Sequence, residues 1–165
     1  MTENIIEGKA IKLGDNINTD IISPPQYMEL GIEESSKYAM QAICPDFAQR
    51  AQTQKIVVAG KNFGSGSSRE TSPLSLKYLG VEAIVAEFFA RIFYRNAVNV
   101  GLFVVECKDA DKIRENDEIR IDYENGLIYN LTKNETYCCT KIPSHLLPIL
   151  EAGGLVEYLK KEYAK

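Results

Sequence analysis

Two hydrophobic periods divide this chain. The run Ile56-Val57-Val58-Ala59 is apolar without interruption, which predicts a strand buried on both faces. Val81–Ala86 and Leu102–Cys107, each apolar but for one glutamate (Glu82 and Glu106), predict two further strands. Between these runs the spacing predicts helices over Thr71–Leu79 and Glu87–Asn99, the second with Phe89, Phe93 and Ala97 on one face. Thr71 or Ser72 suits the N-cap of the first helix, Pro73 its first turn and Gly80 its C-terminal end. A β-α-β-α-β order of this kind predicts parallel strands joined by right-handed crossovers.

The flanks read differently. Ile5–Leu13 predicts a strand, followed by the turn-rich stretch Gly14-Asp15-Asn16-Ile17-Asn18-Thr19-Asp20. Pro24-Pro25 excludes regular helix from the segment up to Gly31. Residues 32–52 have helical spacing with a break near Pro45, and Phe47 and Ala51 continue an apolar face beyond it. In the last third, Glu118–Tyr123 and Leu127–Leu131 alternate in period two around Asn125-Gly126, which predicts a hairpin. Thr136–Ile142 predicts one more strand, and residues 144–150 and 154–162 short helices. The expected fold is α/β, a βαβαβ parallel portion with an added antiparallel hairpin section, in a single domain over residues 1–165.

Composition narrows the function classes. A net charge of −4, with no dense Lys/Arg cluster, argues against nucleic acid as a partner. No apolar run reaches the roughly 20 residues that span a bilayer, so no membrane association is expected. The Met1-Thr2-Glu3-Asn4 start lacks the features of a secretory signal, and the expected location is cytoplasmic. Cys44, Cys107, Cys138 and Cys139 form no C-x-x-C pair and read as small buried residues. With His145 the only histidine, and placed at a predicted helix start, no metal-ligand set is expected in this chain.

The richest local chemistry lies in Gly60-Lys61-Asn62-Phe63-Gly64-Ser65-Gly66-Ser67-Ser68-Arg69-Glu70. Glycines let this loop turn tightly between strand and helix, and its serines and Arg69 offer hydroxyls and a guanidinium fork to an anion. Its position after a strand of a parallel sheet is where ligands bind in such folds. It lacks the Gly-Lys-Ser/Thr ending of a P-loop, and Arg69 stands where a dinucleotide fingerprint needs its third glycine. On these residues alone the loop is equally a Ser/Gly-rich turn, and Asp20 reads first as a capping or turn aspartate.

Three spaced motifs carry a family resemblance: Gly14 to Pro24, Phe63 to Glu70, and Phe89-Ala90-Arg91-Ile92-Phe93-Tyr94-Arg95-Asn96. Together, and with the closing Ala152-Gly153-Gly154-Leu155-Val156, the chain resembles the small subunits of the 3-isopropylmalate dehydratase family. These are separate-chain counterparts of the swivelling C-terminal domain of aconitase. The resemblance implies a swivelling β/β/α domain and a hydro-lyase acting on a hydroxy acid. It also implies a large partner subunit carrying a [4Fe–4S] cluster, with no cofactor held by this chain.

By the family pattern Ser67 falls on the proton-abstracting serine, Ser68 on its neighbour in the oxyanion-stabilising region and Arg69 on the carboxylate-binding arginine. Asp20 falls on an active-site aspartate. Ser65 and Thr71 depart from the usual cysteine and histidine. The stretch Tyr27-Met28-Glu29-Leu30 corresponds to the substrate-selecting loop, where Glu29 would repel a third carboxylate. An apolar substituent is therefore expected: 3-isopropylmalate first, in leucine biosynthesis, then dimethylmalate or methylmalate; a homoaconitate dehydratase, whose substrate carries the third carboxylate, is the remaining alternative within the family. A non-catalytic anion-binding or assembly module is the alternative from another class.

Overall fold

A computed structural model describes residues 5–164. The chain runs β1 (Ile5–Lys12), α1 (Thr19–Ile22), α2 (Ile32–Ser35), α3 (Phe47–Arg50), β2 (Ile56–Val58), α4 (Thr71–Leu79), β3 (Ala83–Ala86) and α5 (Arg91–Val100). It continues through β4 (Phe103–Glu106), β5 (Glu118–Asp122), β6 (Leu127–Asn130), β7 (Glu135–Cys138), α6 (Leu147–Ala152) and α7 (Leu155–Tyr163). All strands join one sheet in the order β4-β3-β2-β1-β5-β6-β7. β1 is the seam, parallel to β2 on one side and antiparallel to β5 on the other.

Burial explains this division. Every residue of β2 and β3 is buried, as expected where helices cover both faces of a parallel sheet. In β5, Ile119 and Ile121 are buried while their neighbours are not, so that half of the sheet covers the core with one face only. Ile11, Ile56, Ile84, Leu76 and Phe47 meet in the same buried cluster. After β7 the chain swings to the opposite edge strand: Thr140 donates its N–H to Glu106 O at 2.9 Å, and its hydroxyl accepts from Glu106 N at 3.0 Å. That exchange covers part of the otherwise bare β4 edge, and it ends the strand expected to run to Ile142.

Several expected boundaries move for physical reasons. The helix expected from Glu87 begins only at Arg91, because Phe89 pairs in parallel with Phe63 and residues 88 and 90 bond to that strand extension. The helical spacing of residues 32–52 breaks into short pieces, interrupted by a positive φ of 61° at Met40 and by Pro45. Pro25–Tyr27 forms a 3-10 turn. Neither Thr71 nor Ser72 caps α4: Glu70 is the N-cap, without a side-chain bond. Asp20 is not a cap either, since Asn18 takes that role, its Oδ1 accepting from Ile21 N at 2.9 Å. Among the described residues no helix is long and apolar enough to cross a membrane.

Candidate active site

Two polar loops are laced together at the carboxyl ends of β1 and β2. Gly60 N donates to Gly14 O, Asn16 N to Lys61 O, Gly64 N to Ile17 O and Thr19 N to Ser65 O, at 2.7–3.1 Å. Asp15 Oδ1 accepts from Lys61 N at 2.8 Å. The Asp and Asn residues of the turn-rich stretch therefore satisfy the backbone of the Gly/Ser loop and fix its path.

Beneath the loop sits an aromatic wedge. The Phe63 and Phe93 rings meet edge to face at 5.2 Å, and Phe89 lies 5.8 Å from Phe63 in a similar arrangement. Gly64, at φ 89°, presses on this wedge so closely that a Cβ would lie 2.3 Å from Phe93 Cγ. Gly66, at φ 105°, passes over Thr19, where a Cβ would come to 3.0 Å from the hydroxyl oxygen. Both positions require glycine, and both place the Ser67-Ser68-Arg69 segment against α1 and α5.

Arg69 is anchored at both ends of its fork. Nη2 lies 2.9 Å from Asp20 Oδ1, and Nη1 donates to Ser23 O at 3.4 Å. The arginine side chain is 18% exposed and the aspartate 57%, so the guanidinium is held from the protein side. Exposed ion pairs contribute about 0–1 kcal/mol, so an incoming carboxylate can compete with Asp20 for this fork at little cost. Ser67 and Ser68 are exposed, and neither hydroxyl has a protein partner among the described residues. The N–H groups of Gly66, Ser67 and Ser68 likewise lack protein acceptors there. Unpaired N–H donors beside a hydroxyl are what a developing alkoxide or oxyanion requires.

These residues border a hollow of about 190 Å³, with Thr19, Arg91 and Asn96 on its other walls. A second hollow of about 100 Å³ opens beside it, lined by Tyr27, Met28, Leu30, Ile32 and Leu74 among others. Ser23, whose carbonyl faces Arg69, belongs to its wall, as does Thr71. Tyr27 is braced by stacking on Tyr38 at 3.8 Å and by a hydrogen bond that Gln41 Nε2 donates to its hydroxyl oxygen at 3.2 Å. The structure thus unites Ser67, Ser68, Arg69 and Asp20, and places Tyr27, Met28 and Leu30 next door. Glu29 is exposed and borders neither hollow.

Two features of the site escaped the sequence. Among the described residues the buried side-chain polar atoms without a partner are Thr19 Oγ1, Ser23 Oγ and Ser72 Oγ, all on segments that meet at Arg69. A hydroxyl left so costs about 1–3 kcal/mol. The N-cap of α5 is Ala90, which offers no side-chain cap; the first turn holds no acid, and Arg91 occupies its first position. Lacking a cap costs about 0.5–2 kcal/mol and a cation at that end about 0.3–1 kcal/mol more. An arginine opening a helix with no acid behind it was the available sequence signal.

Cys44 and Cys107 are buried, as read from the sequence, whereas Cys138 is exposed and Cys139 partly so. Burial is the main cause that pushes the Cys44 and Cys107 thiols up, and it pushes Cys139 up to about 12. Cys107 donates to Cys138 O at 3.3 Å. Among the described residues no group of three or more His, Cys, Asp or Glu could hold a metal ion.

The family model of the aconitase C-terminal domain matches residues 7–110. The 3-isopropylmalate dehydratase small subunit 1 of Archaeoglobus fulgidus is 50% identical over 154 residues, covering 93% of this chain and 96% of that one. The isopropylmalate/citramalate isomerase small subunit of Methanocaldococcus jannaschii is 47% identical over 164 residues, 98% of each chain. A crystal structure of a 3-isopropylmalate dehydratase from Methanocaldococcus jannaschii superposes with a TM-score of 0.90 at 41% identity, covering 97% of this chain and 96% of that one.

Proposed function

The chain belongs to the aconitase C-terminal-domain family, within it to the 3-isopropylmalate dehydratase small subunits, and on that premise we propose how its residues serve the reaction. It is one subunit of a two-subunit hydro-lyase, and the reaction is the isomerisation between 3- and 2-isopropylmalate in leucine biosynthesis. The observation that carries our reading is Arg69, held half-buried between Asp20 and Ser23 O beside the unpartnered Ser67 and Ser68 hydroxyls.

Arg69 takes one carboxylate of the substrate in a two-pronged grip, displacing or sharing Asp20. That places the carbon next to the carboxylate over Ser67. Ser67 removes its proton, and the same oxygen returns a proton when water adds back. A serine does this at neutral pH only if its alkoxide is stabilised, and the free N–H groups of the loop, Ser68 Oγ and the Arg69 charge are the available donors. Asp20 receives Arg69 again after product leaves.

The hydroxyl that departs needs an acid in order to leave as water. In our reading a [4Fe–4S] cluster held by the large subunit would supply that Lewis acidity. Ser67 and Ser68 face outward, which leaves this side of the site open to such a partner. The small apolar hollow formed by Tyr27, Met28 and Leu30 accepts the isopropyl group. Its volume equals about three waters, enough for a short alkyl branch and unsuited to an extra carboxylate. We take residues 1–165 as one domain acting in the cytoplasm, in keeping with free, burial-raised thiols.

Reconstitution tests this reading. The chain is mixed anaerobically with a cluster-loaded large subunit of the family, and formation of the unsaturated intermediate from 3-isopropylmalate is followed by absorbance. Turnover should require both chains. A mixture that assembles without turnover on any malate-type acid would contradict the assignment.

A further inference from the structure

Resting on the hydro-lyase reading, we propose that Glu106, at the carboxyl end of β4, is a positioning residue for the reaction: its carboxylate stands in for a missing strand beside Phe89 and so holds the Gly/Ser loop, with Ser67, in place.

The parallel pairing of β2 and β3 continues past the ends of both strands. Glu87 N donates to Gly60 O, Phe63 N to Phe88 O and Ala90 N to Phe63 O, at 2.9–3.1 Å. Phe88 O and Ala90 N therefore face the Gly/Ser loop, and the N–H of Phe89 between them points the other way, toward β4. But β4 ends at Glu106, and the chain turns away into a 3-10 turn at Ala110–Lys112. Among the described residues no backbone carbonyl takes that N–H. Glu106 Oε2 accepts it instead, at 3.0 Å.

The surroundings of Glu106 fit this task. It is the one charged residue of Leu102–Cys107, it is half-buried, and among the described residues it has no cation partner, whereas Glu82 pairs with Lys55 at 3.7 Å. A half-buried carboxylate without a counter-ion is accounted for by a donor that it satisfies. Its backbone is pinned from the far side, where Thr140 bonds both its N–H and its carbonyl. The segment after β7 thus steadies the residue that steadies Phe89. Tyr94 packs edge to face on Phe89 at 6.1 Å, and after burial it is the Glu106 charge that pushes its hydroxyl up, which sets the carboxylate close to Tyr94 as well.

From Phe89 the path to the site is direct packing. Its ring meets Phe63 at 5.8 Å, Phe63 meets Phe93 at 5.2 Å, and Gly64, in the loop that carries Ser67, rests on Phe93. Phe89 is buried, so an N–H that lost Glu106 would shift the extension rather than stay unsatisfied. A displacement of about 1 Å at the reacting group is enough to cost about 100-fold in rate.

The test uses the enzyme assembled from this chain and its large subunit. Glu106→Gln keeps an oxygen at the same reach without the charge, Glu106→Asp keeps the charge but withdraws it by one methylene, and Glu106→Ala removes both. With isopropylmalate, kcat should fall by about 10- to 100-fold in Glu106→Ala and about 3- to 30-fold in Glu106→Asp, and stay within about threefold in Glu106→Gln. KM should stay within about threefold throughout, because the carboxylate grip of Arg69 is untouched. In the full chain, amide exchange of Phe89 should quicken by about 10-fold or more in Glu106→Ala and Glu106→Asp but not in Glu106→Gln. Rates that follow charge, with Glu106→Asp normal and Glu106→Gln impaired, overturn the proposal. So does quickened exchange at Phe89 with unchanged kcat, which would make Glu106 a structural residue only. Should Glu106→Ala fail to fold, the comparison of Glu106→Asp with Glu106→Gln decides. A wild-type enzyme that assembles and turns over no malate-type acid overturns the hydro-lyase reading and this proposal with it, whereas variants measured against an active wild type judge the positioning alone.

Discussion

The contact between Gly64 and the ring of Phe93 can be broken by a single methyl group. In Gly64→Ala the new Cβ would stand 2.3 Å from Cγ, 2.4 Å from Cβ and 2.8 Å from Cδ1 of Phe93. Phe93 is buried and wedged between Phe63 and Phe89, so it cannot swing away. Overpacking of a filled core costs about 1–3 kcal/mol, and the φ of 89° adds about 1–2 kcal/mol for a residue with a Cβ. The total is about 2–5 kcal/mol. Gly66→Ala is the matched comparison: its φ is 105°, yet its nearest neighbour is the Thr19 hydroxyl oxygen at 3.0 Å. That contact needs only a few tenths of an ångström of relief, leaving mainly the backbone cost of about 1–2 kcal/mol. Thermal unfolding of the chain separates them, because each kcal/mol shifts the midpoint by about 2–4 °C at this size. Gly64→Ala should melt about 4–20 °C below wild type, and lower than Gly66→Ala. Equal midpoints for the two variants, or a wild-type midpoint for Gly64→Ala, would refute the packing argument.

Other perturbations test separate parts of the account. Asn18→Ala removes the cap of α1 and should destabilise the chain by about 1 kcal/mol in urea unfolding. In the assembled enzyme Leu30→Ala strips apolar contact from the small hollow and should raise KM for isopropylmalate by about 3- to 30-fold, whereas Glu29→Gln should leave it within about twofold. Alkaline pH should destabilise the chain: burial and the Glu135 contact push Tyr137 up to about 12 from its ordinary 10.0, so the folded state holds its proton more tightly. That contribution is complete below pH 10 and is lost as pH rises toward about 12; chemical denaturation at pH 9 and 12 should differ, less so in Tyr137→Phe.

What the sequence made legible depended on how local the cause was. The central strands were readable because runs such as Ile56-Val57-Val58 are apolar on both faces, and α4 was readable because Gly80 closes it. The start of α5 was not, since Phe89 is drawn into an extended pairing by Phe63, a partner 26 positions earlier (89 − 63). Nor was the lacing of residues 14–19 to 60–65, where each Asx side chain looks like ordinary turn chemistry until the second loop arrives. Ser67, Ser68, Arg69 and Asp20 were named through motifs and do lie together. Glu29 was given the selecting role from its charge and position in the loop, but its neighbours Met28 and Leu30 line the hollow. Arg91 stood within a quoted motif without a role, because an unpaired cation is visible only once its surroundings are known.

The central claim is that Ser67 moves the proton. Assembled enzyme carrying Ser67→Ala is incubated with isopropylmalate in D2O, and both turnover and deuterium entry at the carbon beside the carboxylate are followed. The account predicts that both fall together by about 10²- to 10⁴-fold, with assembly and inhibitor binding at Arg69 preserved. Near-normal exchange in that variant would show that another group is the base.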